Sequence, residues 1–230
     1  MQKNQQVMYP EEREYSWQDG KTLAIGKKTL IMGILNVTPD SFSDGGKWNS
    51  VDRAVQHMLE MVVNGADIID IGAESSRPGF VTMSAKEEIE RLKPFLEAVL
   101  PACPVPVSID TFKAETAAYA AEQGVHMLND IWGLQYAEEP GEMAKVAAEY
   151  DLPVVVMHNR DSKVYKGDII DSMRAFFQRS IDIACKAGVK QENIILDPGI
   201  GFGKDVEGNL EVMNRLQELK KFAGHRYPLL

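Results

Sequence analysis

Asp110, Asn129 and Asp197 lie at the ends of three short apolar runs, "VPVSID", "VHMLND" and "NIILDPG". A buried carboxylate is costly unless it receives hydrogen bonds. A flat ring with an amino group beside a ring N–H offers two donors to one carboxylate. An asparagine adds one acceptor and one donor. The set suits an amino-oxo pyrimidine, such as a guanine or a pterin. Any one of these side chains would more simply cap a strand or a helix. At equivalent ends of three runs they read as a site.

Other chemistry-bearing residues follow other runs. "ILNVTPDSFSDGG" (34–46) breaks at Asn36 into two acids, hydroxyls, Phe42 and two glycines. Mg²⁺ takes one or two protein oxygens and keeps waters and substrate phosphates, a habit that Asn36 fits. "GAESSRPG" (72–79) carries Arg77, a permanent fork-shaped cation suited to anions. His158, in "MHNR", reads more simply as a satisfied structural histidine than as a base. "DPGIGFGK" (197–204) is not a phosphate loop, because Pro198 takes the first Gly position and Asp205 follows the lysine. Its glycines are expected to let backbone approach a ligand, with Phe202 as a wall.

The elements that must position these residues repeat. Six β-branched runs, at 29–35, 66–72, 105–110, 125–130, 152–158 and 193–199, are too apolar for half-exposed strands and predict buried parallel ones. Helical stretches separate them. "SVDRAVQHMLEMVVNGA" places Val51, Val55, Met58, Leu59 and Val62 on one face. "SAKEEIERLKPFLEAVL" opens with Ser84 and Glu87, the spacing of a capping box. The sixth helix is expected over "VEGNLEVMNRLQELKKF". Asn36, Asp70 with Glu74, Asp110, Asn129, His158 and Asp197 each fall at a different strand end. In a (β/α)8 barrel those ends share one mouth; in an open doubly wound sheet most would be wasted. The barrel is therefore expected, with about six βα units in this chain. Residues 1–28 read as an extension with a β-hairpin turning near Gly26, able to plug the barrel bottom, and 29–230 as the barrel domain. An incomplete barrel would expose strand edges and apolar faces.

The bulk numbers exclude more than they identify. A chain of 230 residues, 44% hydrophobic and 26% charged, supports one sizeable core. A net charge of −9 disfavours loose binding to nucleic acid or anionic membrane. No span of membrane length and no secretory signal is visible, so the cytoplasm is the expected location. Cys103 and Cys185 lack metal spacing and are expected to be buried free thiols.

Taken together, "ILNVTPDSFSDGG", "DIIDIGAESSRPG", "VSIDT", "LNDIWG", "VVMHNR" and "IILDPGIGFGK" resemble bacterial dihydropteroate synthase, from about Thr29 to Leu230. The resemblance implies a (β/α)8 barrel that joins 6-hydroxymethyl-7,8-dihydropterin diphosphate to p-aminobenzoate, with Mg²⁺ assisting and sulfonamides competing. It implies Asn36 as metal ligand, and Asp110, Asn129 and Asp197 as the pterin clamp. Ser76 stands where the family usually has threonine. Phe42, Ser76, Arg77, Pro78 and Phe202 fall around the aminobenzoate, and Asp44 is a catalytic acid on a lid formed by Asp40 to Gly46. The family's lysine after strand seven and the Arg-x-His segment that ends its strand eight do not occur in these 230 residues, which predicts that this chain alone is inactive or nearly so. A homodimer is possible. Two other functions share the pterin clamp: a corrinoid-dependent methyltransferase domain and a pterin-binding remnant without turnover.

Overall fold

The computed structural model describes residues 12–38, 46–74, 82–222 and 224–230. In chain order the elements are β1 (Arg13–Ser16), β2 (Thr22–Ile25), β3 (Met32–Asn36), α1 (Gly46–Val63), β4 (Ile68–Gly72), α2 (Ala85–Ala102), β5 (Val107–Asp110) and α3 (Ala114–Gln123). Then come β6 (Met127–Asp130), α4 (Glu142–Glu149), β7 (Val154–Met157), α5 (Ile169–Ala187), β8 (Ile194–Asp197), α6 (Val206–Asn214), β9 (Lys221–Phe222) and β10 (His225–Arg226).

All six expected runs form strands, and β3 to β8 pair in parallel in sequence order. Each strand alternates. Ile69 and Ile71 face the helices, within a core that includes Leu35, Ile109, Leu128, Val154, Val156 and Leu196. Ile68, Met127, Val155 and Ile195 form a separate inner cluster, closed from below by Tyr15 and Leu23 of the β1–β2 hairpin. The hairpin is the expected plug. Arg13 fastens it by donating to Ile194 O at 2.9 Å and Arg226 O at 2.9 Å. His126 Nδ1 accepts from Val107 N–H, and its Nε2 meets Asp19 at 3.0 Å, which fixes the proton on Nε2.

The helices follow their sequence signals. Ser84 Oγ accepts from Glu87 N–H at 3.3 Å, and Glu87 Oε2 accepts from Ser84 N–H at 2.9 Å, completing the capping box of α2. Asp168 caps α5, and Gly188 ends it in the left-handed region. Met173, Phe176, Phe177 and Ile181 give α5 its buried stripe.

Four expectations need correction. The hairpin turns at Gly20, with φ +85°, and not at Gly26. α6 stops at Asn214, and a 3-10 turn over Leu216–Leu219 leads into the β9–β10 hairpin. There Arg215 bonds to Glu211 and Glu218, its neighbours along the chain, and to Asp168 at the start of α5. Both cysteines are free as expected, but Cys185 is exposed. The glycines of the β8–α6 loop serve a different close approach, described below.

The sheet does not close on itself. On the β3 edge, Ile34 is 63% exposed although it pairs in register with the buried Asp70. On the other edge, Leu196 N–H donates to Pro228 O at 3.0 Å and Leu230 N–H to Leu196 O at 2.9 Å. The segment after Tyr227 thus begins to pair with β8 in parallel. Among the described residues, no helix is long and apolar enough to cross a membrane.

Candidate active site

Register brings the polar strand ends together. Asn36 pairs with Gly72, Gly72 with Asp110, and Asp110 with Asn129, so these four positions form one row across β3 to β6. Because inward positions recur every second residue, Asp70 and Ser108 lie in the row beneath. Gly72 leaves space in the row. A Cβ there would sit 3.2 Å from Asp110 Oδ2 and 3.6 Å from Asn36 Oδ1. The two predicted side chains therefore flank one small cradle. Asn36 is exposed, and Asp110, Asn129 and Asp197 are half-buried, as groups lining an open mouth should be.

Asp70 was placed at a strand end by its sequence position, but its role becomes visible only here. Asn129 Nδ2 donates to Asp70 Oδ2 at 2.9 Å, which orients the amide and leaves its oxygen for a ligand donor. The other oxygen, Asp70 Oδ1, is buried with no hydrogen-bond partner, as is Ser108 Oγ opposite it in register. Ser108 is still close enough to favour the charged form of Asp70, but burial prevails and raises the Asp70 pKa.

The mouth holds more acid than the protein itself satisfies. Burial pushes Asp110 well above the usual carboxylate range, and repulsion from Asp70, Glu88, Asp130 and Glu74 adds to it. Burial also raises Asp197 to about 6, against the Gly199 N–H and the Lys204 ammonium, which favour its charge. Gly199 N–H reaches Asp197 Oδ1 at 2.7 Å. Asp130 is raised to about 6 by burial, although Trp132 and Leu134 donate backbone N–H groups to it. Raised carboxyls gathered at one mouth make it a candidate functional site.

The β8–α6 loop is held by a buried lysine whose role the sequence did not suggest. Lys204 Nζ donates to Gly199 O at 2.8 Å and Phe202 O at 2.9 Å, and it meets His158 Nδ1 at 3.1 Å. That uses all three ammonium donors and sets the loop carrying Phe202. Burial and the neighbouring Lys204 and Arg160 charges lower His158 to about 3. Packed on Phe176 and Phe177, His158 is the structural histidine expected. The loop glycines make room for backbone. A Cβ on Gly199 would lie 2.2 Å from His158 O, and one on Gly203 2.6 Å from Arg160 O. They let this loop pack on the chain after β7, where close approach to a ligand was expected.

The decisive comparison is with protein families. Residues 32–230 match the model described as pterin binding enzyme. The chain belongs to the pterin-binding enzyme family. A relative in that family, the dihydropteroate synthase of Clostridium beijerinckii, is 52% identical over 210 residues, covering 91% of this chain and 76% of its own. The dihydropteroate synthase of Clostridium difficile, solved in the presence of pteroic acid, superposes with a TM-score of 0.82 at 50% identity, covering 88% of this chain and 75% of that one. The enzyme of Xanthomonas albilineans, solved with 4-aminobenzoic acid, has a TM-score of 0.82 at 36% identity, covering 92% and 74%. Within the pterin-binding family the chain thus stands with the dihydropteroate synthases, and its six parallel strands are those of their barrel.

Phe42, Asp44, Ser76, Arg77 and Pro78 lie outside the described residues, as does the expected lid from Asp40 to Gly46 apart from Gly46 itself, which opens α1. Among the described residues no cluster of three or more His, Cys, Asp or Glu is placed to hold a metal. Asn36 Oδ1, beside Gly72, is an amide oxygen of the kind Mg²⁺ takes while keeping its other positions for water and phosphate.

Proposed function

We propose that this pterin-binding barrel condenses 6-hydroxymethyl-7,8-dihydropterin diphosphate with p-aminobenzoate, releasing diphosphate and forming 7,8-dihydropteroate. The observation that carries the reading is the set of Asp110, Asn129 and Asp197 around one mouth, with carboxyls held above their ordinary range. The amino group and ring N–H of a pterin supply the missing donors to Asp110 and Asp197. Asn129, turned by Asp70, accepts from the ring through its oxygen.

The diphosphate adds negative charge to an acidic mouth. Asn36 would hold Mg²⁺, which supplies charge neutralisation for the departing diphosphate. Ser76 takes part in the pterin and diphosphate side. Phe42, Arg77, Pro78 and Phe202 hold p-aminobenzoate, with the Arg77 guanidinium on its carboxylate. The arylamine attacks the methylene carbon as the C–O bond to diphosphate breaks, and it then loses a proton. Bond breaking runs ahead because the electron-rich ring stabilises the cation. Asp44, brought in by its loop, adds negative charge there. An arylamine needs no strong base, which agrees with His158 being neutral and buried.

The same reading includes a cytoplasmic location, where free thiols such as Cys103 and Cys185 persist. It also includes a homodimer, for which the exposed apolar Leu210 and Met213 of α6 are available surface. Diphosphate release measured with both substrates tests the reading. It should require Mg²⁺ and both substrates, and a sulfonamide should raise the KM for p-aminobenzoate without changing kcat. Release without p-aminobenzoate would refute it, as would a chain that binds neither pterin diphosphate nor p-aminobenzoate.

A further inference from the structure

A second group of charges lies behind the mouth. Lys113, Glu74 and Glu88 are 5%, 8% and 1% exposed. The Lys113 ammonium bonds to Glu74, and to Glu88 Oε2 at 3.1 Å. Thr111 and Thr116 donate their hydroxyls to the same Glu88 oxygen at 3.2 and 2.9 Å. Lys113 Nζ also stands 4.5 Å above the Phe112 ring. Four elements meet here: the chain just after β4, the chain just after β5, the first turn of α2, and α3.

A neutral set of hydrogen bonds would tie these elements with less desolvation than buried ions. The charges also face a particular place. Thr111, which donates to Glu88, directly follows Asp110. Glu88 and Glu74 are both among the carboxylates that repel Asp110. With one ammonium against two carboxylates, Lys113 is the cation that offsets Glu74 and Glu88, two of the groups that repel Asp110.

We propose that Lys113 is a positioning residue for pterin binding, whose buried ammonium balances Glu74 and Glu88 so that Asp110 can present a carboxylate to the ring. The inference rests on the pterin reading of Asp110. A role in stability alone would make charge and hydrogen bonds inseparable; this role makes charge decisive.

The test is calorimetric binding of 6-hydroxymethyl-7,8-dihydropterin diphosphate with Mg²⁺, alongside the KM for p-aminobenzoate. Lys113→Met leaves two facing carboxylates and should weaken pterin binding about tenfold or more. Lys113→Met with Glu74→Gln removes one charge of each sign and should recover to within about threefold of the parent protein. Glu74→Gln alone makes the site less negative, so it should bind the pterin at least as tightly as the parent. The KM for p-aminobenzoate should stay within about twofold throughout, since the charges act on Asp110. A double variant as weak as Lys113→Met, weakened binding in Glu74→Gln, or a p-aminobenzoate KM that moves with the pterin affinity would overturn the inference. If Lys113→Met does not fold, Glu74→Gln decides by the sign of its effect. An unaltered protein that binds no pterin diphosphate sinks the pterin reading as well; one that binds it equally in all variants sinks this inference alone.

Discussion

Pterin binding should release a proton. Asp197 rests at about 6 because burial outweighs the Gly199 N–H and the Lys204 ammonium. Moving a carboxyl from 3.8 to about 6 corresponds to ~3 kcal/mol, the cost of charging it in the unliganded mouth. A ring that donates N–H groups binds the ionised form, so it pulls the pKa back down. The sign follows: affinity is full above about 6 and is lost as pH falls below it. From pH 7 to pH 5 the ionised fraction of Asp197 falls from about nine-tenths to about one-tenth, a loss of about tenfold in affinity. Asp110, also raised, steepens the fall.

Isothermal titration calorimetry with 6-hydroxymethyl-7,8-dihydropterin removes the diphosphate's own titration. Runs at pH 6 in two buffers of different ionisation heat count the protons, and about half a proton or more should leave per ligand bound. Asp197→Asn should remove one proton's worth of this dependence. The opposite chemistry is physically available, since a protonated carboxyl in an apolar site can donate to a ring nitrogen. Proton uptake on binding, or an affinity that is flat between pH 5 and 7.5, would refute the clamp as drawn.

The remaining predictions use other parts of the molecule. Gly199→Ala puts a Cβ 2.2 Å from His158 O at φ +61°, and should cost about 3–5 kcal/mol in urea unfolding. Gly201→Ala, at φ +92° with nothing within 4 Å, should cost only about 1 kcal/mol; equal losses would show that the close packing of the two loops is unimportant. Ser84→Ala removes the capping box of α2 and should cost about 1 kcal/mol, read as a lower thermal midpoint with unchanged KM values. Asn129→Asp sets a second carboxylate where an amide nitrogen now lies 2.9 Å from Asp70. One of the pair must then stay protonated, so the stability deficit should grow from pH 5 to pH 8; a pH-independent deficit would count against the contact. Asp44→Ala should lower kcat about a hundredfold, ~3 kcal/mol, with pterin affinity nearly intact. An equal loss of pterin binding would remove Asp44 from its place over the methylene.

Much of the site was legible because the strands announce themselves. Runs such as "LPVVVMH" admit few readings, and the first polar residue after each run marks the barrel mouth. The Ser84–Glu87 box was readable because both partners lie within one turn. What escaped depends on residues far apart in sequence. Lys204 looked like the end of a failed phosphate motif, yet it ties its own loop to His158, 46 residues earlier. Gly199 looked ready for a ligand, and its neighbour is the carbonyl of that same histidine. Arg215 reaches Asp168, 47 residues earlier, where a helix whose periodicity continues past it gives way to a 3-10 turn. The distant partners, His158 for Lys204 and Gly199 and Asp168 for Arg215, cannot be read from local spacing.

The two buried lysines also explain how so acidic a mouth can accept an anionic substrate. Neither is a free cation. Lys204 gives its three donors to Gly199 O, Phe202 O and His158, and Lys113 is held between Glu74 and Glu88. Both stabilise the walls and temper the carboxylates, and neither can follow a departing diphosphate. The clamp needs acids to take ring N–H groups, so the charge that draws in the pterin repels its leaving group. A resident lysine at the clamp would pair with Asp110 or Asp197 and lower their appetite for the ring. Under the proposed function, a divalent cation held at Asn36 would avoid that conflict, because β4 lies between Asn36 and Asp110. The order across β3 to β6, an amide, then the space at Gly72, then acid, then amide, separates the two demands by one strand. Filling that space makes the argument testable in one residue. Gly72→Ala puts a Cβ between Asn36 and Asp110, so it should weaken pterin and Mg²⁺-diphosphate binding together while p-aminobenzoate still binds.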